Sequence, residues 1–328
     1  MQAWKGRVLG SAFATMSVVI SATNLDAQSE TNYPTQPIRF VVGFAPGGSN
    51  DILARVISDK LAQKLGQPVI VENKPGGGGT TAAAYVASQP ADGYNILVGA
   101  SGAMVIAPAV TAALQYDTMR DFSPISLVAS FPLIMIVAGD GPHKNVEEFV
   151  AWTKANAEKA NYATASSTFT LSTELFKIRT GSKLQPIPYR GSNEAATSVI
   201  AGQTTATIVD MLPAMPLIQS GKARALAITS LKRVPELPDV PTMQEAGVSN
   251  MELVIWTGLF AKKGTPAEIL SKLEKDVRGI MQQPDVKAKL RTLVTDAVGS
   301  TSDEFAATIK RELDQWAKVA KASNIQLK

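Results

Sequence analysis

Residues 38–65 read IRFVVGFAPGGSNDILARVISDKLAQKL, and this stretch decides the fold. The short apolar run at 38–42, rich in β-branched residues, predicts a buried strand. A glycine-rich turn follows, and apolar residues then recur at helical spacing as far as Leu65, with Gly66 placed to end the helix. The stretch therefore predicts a strand, a tight turn and a helix.

The same unit recurs along the next part of the chain. Val69–Val71 predicts a second strand, followed by the glycine run 76–79 and a helix from Ala82. Asn95–Val98 predicts a third strand, and a further small-residue turn follows it. Because strands and helices alternate, we expect a parallel sheet covered by helices.

A long apolar run, Phe122–Ala138, is interrupted by Pro124 and Pro132 and leads into a second region where strands and helices alternate again. A predicted strand over Met251–Ala261 then returns to the first region. We therefore expect an α/β fold of two lobes, each a mostly parallel sheet covered by helices, with a cleft at their junction. The expected bounds are 33–125 together with 255–328 for the first lobe and 126–254 for the second.

The composition argues against several kinds of chemistry. The 328 residues include no cysteine and one histidine, His143, which stands in a predicted turn typical of a solvated residue. Disulfides, thiolate chemistry and histidine-rich metal sites are therefore not expected, and we expect neither a metal nor a cofactor. The formal net charge is +4 without a dense basic run, which argues against a nucleic-acid partner.

The first residues have the pattern of an export signal. Lys5 and Arg7 precede the apolar stretch Val8–Ile20, and Leu25-Asp26-Ala27 offers a cleavage site. Because the apolar stretch is short and rich in Ser, Thr and Gly, we do not expect it to be a stable membrane span. We expect residues 1–27 to be a signal peptide and the mature protein to be periplasmic.

The glycine-rich turn before the first helix is a candidate anion site. The first N–H groups of a helix have no internal partner, and the helix dipole adds partial positive charge there. Ligands of open α/β sheets bind at the carboxyl ends of the strands, where this turn is expected. The alternative is that the glycines only permit a tight turn. The candidate residues of the first lobe are Phe44, Ala45, Pro46, Gly47, Gly48, Ser49, Asn50, Asp51 and Ser101.

A second candidate site lies in the predicted loop before the helix Leu171–Arg179. Hydroxyl groups and free helix N–H groups can hold a carboxylate without a buried cation, whose desolvation is costly. The alternative is ordinary N-capping by one of these residues. Phe44 and Phe169 are expected either to sandwich an apolar ligand body or to pack in the core. The second-lobe candidates are Ser166, Ser167, Thr168, Phe169, Thr170 and Asp210.

Nucleotide and catalytic sites fit the sequence poorly. Neither glycine-rich turn has the lysine or the spacing of a nucleotide site. Ser101 follows a strand, but a nucleophile elbow would require glycine where Ala103 stands. Asp51 and Asp210 could form a carboxylate pair, although a position flanking a helix and a hydrogen bond near the hinge are the expected roles. We expect a binding protein with no catalytic residue.

Several motifs cover essentially the whole mature chain. They are YP at 33–34, FAPGG with a following aspartate at 44–51, LGQPVIVENKPG at 65–76, DGY at 92–94, PYRG at 188–191, GKARALA at 221–227, LPDVPT at 237–242, and WTGLF and GTP between 256 and 266. At these residues the sequence resembles the substrate-binding receptors of tripartite tricarboxylate transporters, often called Bug-type receptors.

The resemblance implies a two-lobed clamshell of the periplasmic-binding-protein type (type II-like) that delivers a small organic carboxylate to a membrane permease. It also implies that main-chain groups and waters at Phe44–Asp51 and Ala165–Thr170, with Asp210 nearby, hold the ligand. An enzyme on the same fold and a ligand sensor for a signalling partner remain alternatives; turnover of a bound acid would distinguish the enzyme.

This sequence departs from the family pattern at two places. The second-lobe turn usually contains glycines and ends in a histidine, whereas here it is shorter and Thr170 stands at that position. Ala107 replaces the asparagine that is common before the following proline. Both departures remove polar partners, so we expect a less polar acid, for instance an aromatic one.

Overall fold

The computed structural model describes residues 1–4, 6, 32–111 and 113–323. The chain from Asn32 onward forms one compact unit. The expected signal peptide, residues 1–27, lies almost entirely outside the described residues. In the part of the chain that the structure describes, no helix combines the length and the apolar character needed to cross a bilayer.

The described residues contain ten strands that pair in the order β2-β1-β3-β9-β4-β7-β5-β6, with β8 and β10 each paired to β4. The strands are β1 (Ile38–Val42), β2 (Val69–Asn73), β3 (Asn95–Ala100), β4 (Phe122–Ala138), β5 (Asn161–Thr164), β6 (Gln185–Pro188), β7 (Ala206–Asp210), β8 (Ala223–Ile228), β9 (Val254–Lys262) and β10 (Asp296–Ala297).

Helices cover these strands. They are α1 (Ser49–Leu65), α2 (Thr80–Ala87), α3 (Ala107–Val110), α4 (Thr118–Asp121), α5 (Val146–Ala155), α6 (Ser167–Thr180), α7 (Ser192–Ile200), α8 (Met211–Gln219), α9 (Ala267–Met281), α10 (Pro284–Arg291) and α11 (Ser302–Ser323). A 3-10 turn, Gly77–Gly79, precedes α2, and a π-helical segment, Gly102–Ile106, precedes α3.

The first-lobe sheet is parallel at its outer side. β1 lies between β2 and β3 and runs parallel to both, so that Phe40 pairs with Val71 on one side and with Ile96 on the other. Helix α1 packs its buried Leu53 and Ile57 into the same core cluster as Phe40. Burial of each such side chain contributes roughly 1.5–3 kcal/mol, which explains why this strand–turn–helix unit forms where the sequence predicts it.

β4 is the strand that joins the two lobes. It pairs antiparallel with β9 as far as Pro132, and from Leu133 onward it pairs with β7 and β8. The chain returns through β9, whose first residue, Val254, lies opposite Pro132. The expected bound at 125/126 therefore falls inside β4, and the change of sheet comes later in the same strand.

The second-lobe sheet repeats the plan of the first. β5 runs parallel to β6 and to β7, and β4 pairs antiparallel with both β7 and β8. Because parallel strands end at the same edge of a sheet, the residues after Thr164, Pro188 and Asp210 are brought to one edge. These residues form the second-lobe wall of the site.

Two expectations about local structure were wrong. Helix α6 begins at Ser167 rather than Leu171, because Ser166 caps it by accepting a hydrogen bond from the Phe169 N–H. His143 is 7% exposed rather than solvated. Its ring packs against Phe149 and Trp152 of α5, at centroid distances of 5.4 and 4.9 Å, because the apolar face of that helix covers the turn.

Candidate functional site

A cavity of about 610 Å³ lies where strands of both lobes end. Its first-lobe wall is formed by residues that follow β1 and β3, and its second-lobe wall by residues that follow β5, β6 and β7. Of the fifteen candidate residues, eleven line it: Phe44, Ala45, Pro46, Gly48, Ser49, Asn50, Ser101, Ser166, Thr168, Phe169 and Asp210. The other four candidates, Gly47, Asp51, Ser167 and Thr170, do not line it.

The first-lobe turn is held by Asp51 from behind. Its carboxylate accepts a hydrogen bond from the Gly47 N–H at 2.9 Å, two from Arg55 at 3.0 Å each, and one from the Asn73 amide at 2.9 Å. Burial alone would raise the pKa of Asp51, but these hydrogen bonds outweigh it and hold the pKa below its usual value. Asp51 therefore stabilises the turn as an ionised carboxylate and is occupied by its own neighbours.

Gly47 has a conformational role in this turn. Its φ of +84° lies in the left-handed region that L side chains rarely adopt, and this conformation brings its N–H to Asp51. Gly48, the residue before α1, has an extended conformation with φ −81° and ψ 168°, and no side chain caps the helix at this position. The first N–H groups of α1 therefore lie at the cavity wall without a side-chain cap.

The second glycine run also reaches the cavity, through Gly76, Gly77 and Gly78. A Cβ atom placed on Gly78 would lie 3.4 Å from the Cβ of Ser166 in the second lobe. Sequence analysis placed this run beside the first turn but did not include it among the candidate residues. The signal was its position after a strand and before a helix, the same pattern that identified Phe44–Asp51.

Ser101 is buried and its hydroxyl accepts a hydrogen bond from the Trp256 N–H at 3.3 Å. The single histidine of the chain packs in the second lobe on α5 and does not line the cavity. Ser101 therefore has no imidazole beside it that could act as a base. The backbone after β3 then enters the π-helical segment, whose first residue, Gly102, also lines the cavity.

Five of the six second-lobe candidates, Ser166 to Thr170, form the cap and the first turn of α6. Ser166 is its cap, and Thr168 and Phe169 line the cavity from within that turn. Thr170 turns back on its own segment, since its hydroxyl donates to the Ser166 carbonyl at 3.1 Å and lies 2.8 Å from the Thr164 hydroxyl. The Ser167 hydroxyl reaches the carbonyl of Gly102 in the first lobe at 3.5 Å.

The start of α7 is a third wall that sequence analysis did not identify. The lining residues there are Tyr189, Arg190, Gly191, Ser192, Asn193 and Glu194. Gly191 occupies the cap position without a side-chain hydrogen bond to the helix. The Glu194 carboxylate accepts a hydrogen bond from the Arg190 N–H at 3.2 Å. The signal for this wall was a predicted strand followed by glycine, serine and asparagine before a helix.

Asp210 ends β7 and is 5% exposed. Its Oδ2 atom is 2.6 Å from Oγ of Ser49, so this hydrogen bond joins the second lobe to the first turn of α1. Its Oδ1 atom is buried and has no hydrogen-bond partner among the described residues. Burial raises the pKa of Asp210 and outweighs the influence of the Ser49 and Ser192 hydroxyls and of its own backbone N–H, which lower it.

The rest of the lining is aromatic and carries few charges. Five aromatic side chains contribute to it: Phe44, Phe131, Phe169, Tyr189 and Trp256. The charged residues among the lining are Arg190, Glu194 and Asp210. In the described ranges, no group of three or more potential ligand residues is placed to hold a metal ion. The cavity can therefore bind an organic anion through backbone N–H and hydroxyl donors, with aromatic rings around its apolar part.

An α/β fold of two lobes with the cavity between them is the architecture of periplasmic solute-binding proteins, and solved structures of that class share it with this chain. The family model described as "Tripartite tricarboxylate transporter family receptor" (TctC) matches residues 53–325. The chain belongs to this family, as a Bug-type receptor.

Three similar proteins illustrate the relationship. Protein BugT of Bordetella pertussis is 32% identical over 319 residues, which cover 96% of this chain and 98% of BugT. The structure of R. palustris Rpa4515 with adipate has a TM-score of 0.86 at 33% identity, covering 90% of this chain and 99% of that one. MatC from Rhodopseudomonas palustris with bound malate has a TM-score of 0.83 at 32% identity, covering 88% and 99%.

Proposed function

We propose that this protein is a periplasmic receptor that captures a small organic carboxylate between its lobes and delivers it to the permease of a tripartite tricarboxylate transporter. The observation that carries the proposal is the convergence of three helix starts, those of α1, α6 and α7, on one cavity. Such helix starts attract an anion through unpaired N–H groups and partial positive charge. The carboxylates in the structures of Rpa4515 and MatC support the same class of ligand.

The proposed ligand contacts are the eleven candidate residues that line the cavity, together with Arg190, Ser192 and Asn193 at the start of α7. Gly47, Asp51, Ser167 and Thr170 do not line the cavity. In this assignment Asp51 shapes the first turn, Thr170 shapes the second, and neither touches the ligand.

The body of the ligand is proposed to be largely apolar, for instance aromatic. Five aromatic side chains line the cavity, and its volume of about 610 Å³ falls within the range of ordinary small-molecule sites. Phe44 and Phe169 stand on opposite lobes, at the two carboxylate-binding turns, so they are placed to cover the two sides of an apolar ligand.

Ligand capture is proposed to work by closure of the two lobes, with the bound expected at 125/126 shifted to the change of sheet within β4. The hinge is proposed to lie where the chain changes sheet, at Pro132–Leu133 of β4 and at Val254 of β9. Because the ligand contacts both lobes only when they are closed, its binding shifts the population toward the closed state. The ligand is released unchanged, and the protein is proposed to have no catalytic activity.

The experiment is a thermal-shift screen of the purified protein against di-, tri- and aromatic carboxylates. A ligand that binds only the folded state raises its stability by mass action, by about 2.7 kcal/mol at one hundred times the dissociation constant. The expected result is a shift with one class of acid, which is recovered unchanged. Turnover of that acid would contradict the receptor assignment. If no acid gives a shift, the protein is denatured and any released acid is identified, which tests whether the cavity was already filled. The absence of a released acid would contradict the proposed ligand class.

A further inference from the structure

The hydrogen bond between Ser49 and Asp210 joins the two lobes at the cavity wall. Ser49 lies in the first turn of α1 and Asp210 ends β7, and the two oxygen atoms are 2.6 Å apart. Both residues line the cavity, so a ligand carboxylate bound at the start of α1 would lie beside this pair.

The surroundings of Asp210 do not compensate a negative charge. Leu133 of β4 lies opposite it in the sheet, and its Oδ1 atom is buried without a partner among the described residues. On α1, Asp51 and Arg55 are paired with each other, and on the α7 side Arg190 and Glu194 are exposed charges at the cavity. Burial raises the pKa of Asp210 and outweighs the hydroxyls of Ser49 and Ser192 and the backbone N–H of Asp210 itself, which lower it. A second anion in the cavity would make the ionised form less favourable still.

The protonation state of Asp210 determines what Ser49 offers to the cavity. A hydroxyl group has a single hydrogen atom. When Asp210 is ionised, Ser49 donates that hydrogen to Oδ2 and presents only lone pairs to a ligand. When Oδ2 carries a proton, Asp210 donates to Ser49 Oγ, and the hydroxyl hydrogen of Ser49 becomes free to donate to a ligand carboxylate.

We infer that Ser49 and Asp210 form a proton-dependent donor for the ligand carboxylate, so that binding of the anion is accompanied by uptake of one proton at Asp210. The proton comes from solvent and is bound at Oδ2, and no bond of the ligand changes. Ser49 donates to the ligand carboxylate, and the protonation of Asp210, which also lines the cavity, acts on that carboxylate through Ser49. The inference rests on the proposed function, because it requires a carboxylate in this cavity.

The inference predicts a pH dependence of affinity with a definite sign. The binding-competent state carries the proton, so affinity is highest below the pKa of Asp210 in the ligand-free protein. Above that pKa, the dissociation constant rises by up to about tenfold per pH unit, as expected for the uptake of one proton. A merely structural hydrogen bond would not produce this slope.

The experiment is calorimetric titration of the purified protein with the acid of the carboxylate panel that gives the largest thermal shift, with adipate as the first choice. Titrations from about pH 5 to about pH 9 span the range in which a buried carboxyl group can titrate. Two buffers with different protonation enthalpies report the number of protons taken up. The expected result is an uptake that approaches one proton per ligand above the pKa of Asp210 in the ligand-free protein, together with the pH slope described above.

Two variants isolate the pair. Asp210→Asn places an amide that donates to Ser49 at every pH, so it is expected to keep the affinity of the wild-type protein at low pH and to lose the pH slope. Ser49→Ala is expected to weaken binding by about tenfold to a hundredfold, the range for a hydrogen bond to a charged group. Ser88→Ala is the matched control, since its hydroxyl donates to the Tyr85 carbonyl and it does not line the cavity.

Three results would overturn the inference: affinity independent of pH in the wild-type protein, a slope that persists in Asp210→Asn, or loss of binding by Asp210→Asn at every pH. Carbon-13 NMR titration of the Asp210 carboxyl group in the ligand-free protein separates this inference from the proposed function. If no acid binds, the proposed function fails. A carboxyl pKa of Asp210 at or below about 3.9, the ordinary value for aspartate, would then overturn this inference independently.

Discussion

The carboxylate of Asp51 accepts a hydrogen bond from the N–H of Gly47 at 2.9 Å, and it thereby closes the first-lobe turn from the side opposite the cavity. The residues between them, Gly48, Ser49 and Asn50, face the cavity. The turn is therefore held in shape by a residue that does not line the site, and disruption of that residue should affect stability and binding together.

Asp51→Asn should destabilise the protein by about 1–3 kcal/mol, because the new amide cannot accept all the hydrogen bonds that the carboxylate accepts. Since the pKa of Asp51 is lowered in the folded state, its contribution is present above the unfolded value of about 3.9 and is lost as pH falls through the lowered pKa. Urea unfolding should therefore show a difference in the free energy of unfolding between the wild-type protein and the variant at pH 7, and this difference should become smaller at low pH. Asp314→Asn, at an exposed pair with Lys318, is the control and should change stability little.

Gly48→Val should remove carboxylate binding with little effect on folding. Gly48 has an extended backbone that valine tolerates, and a Cβ atom there would find only the Ala45 carbonyl oxygen, at 3.6 Å. The added side chain would occupy the cavity wall at the start of α1. We expect the dissociation constant to rise by at least about tenfold, or 1.4 kcal/mol, in calorimetric titration. Gly48→Ala should show a smaller loss, and equal binding by both variants would argue against a ligand at this turn.

Arg190→Ala should discriminate between acids with one and two carboxylates. Arg190 is the cationic side chain among the described lining residues, and its guanidinium makes no ion pair within the described part of the chain. Because the side chain is exposed, its contribution to a second carboxylate should be at most about 1 kcal/mol, or about fivefold in affinity. Comparison of adipate with hexanoate measures it. Arg233→Ala, paired with Glu245 away from the cavity, is the control, and equal losses for both acids would contradict the assignment.

His143→Phe should make the free energy of unfolding less dependent on pH. Burial lowers the pKa of His143, an effect that outweighs the opposite influence of Glu148, so the unfolded chain binds the proton more readily than the folded one. The contribution of His143 is therefore present above the unfolded pKa of about 6.5 and is lost as pH falls through the lowered value. Phenylalanine preserves the packing on Phe149 and Trp152 without a titrating group. Urea unfolding at about pH 7.5 and about pH 5 should show a larger difference for the wild-type protein than for the variant.

The local units of the fold could be predicted from the sequence because their causes are local. The apolar run before the first glycine-rich turn, the helical spacing after it and the stop at Gly66 each depend on neighbouring residues, and β1 and α1 form there. The predicted start of α6 was too late. Serine and threonine usually favour loops, but here the Ser166 hydroxyl caps the helix by accepting a hydrogen bond from the Phe169 N–H.

By itself, the sequence determined the class of the protein, the alternation of strands and helices, and the start of α1 at the cavity, whereas it placed the start of α6 four residues too late. Only the tertiary structure decided that α7 supplies a third wall, that His143 is buried, and that Ser49 meets Asp210 across the cleft. The physical reason is sequence separation. Hydrophobic periodicity and capping act within a few residues, whereas the partners of a cleft depend on which strand ends pairing brings to one edge of each sheet.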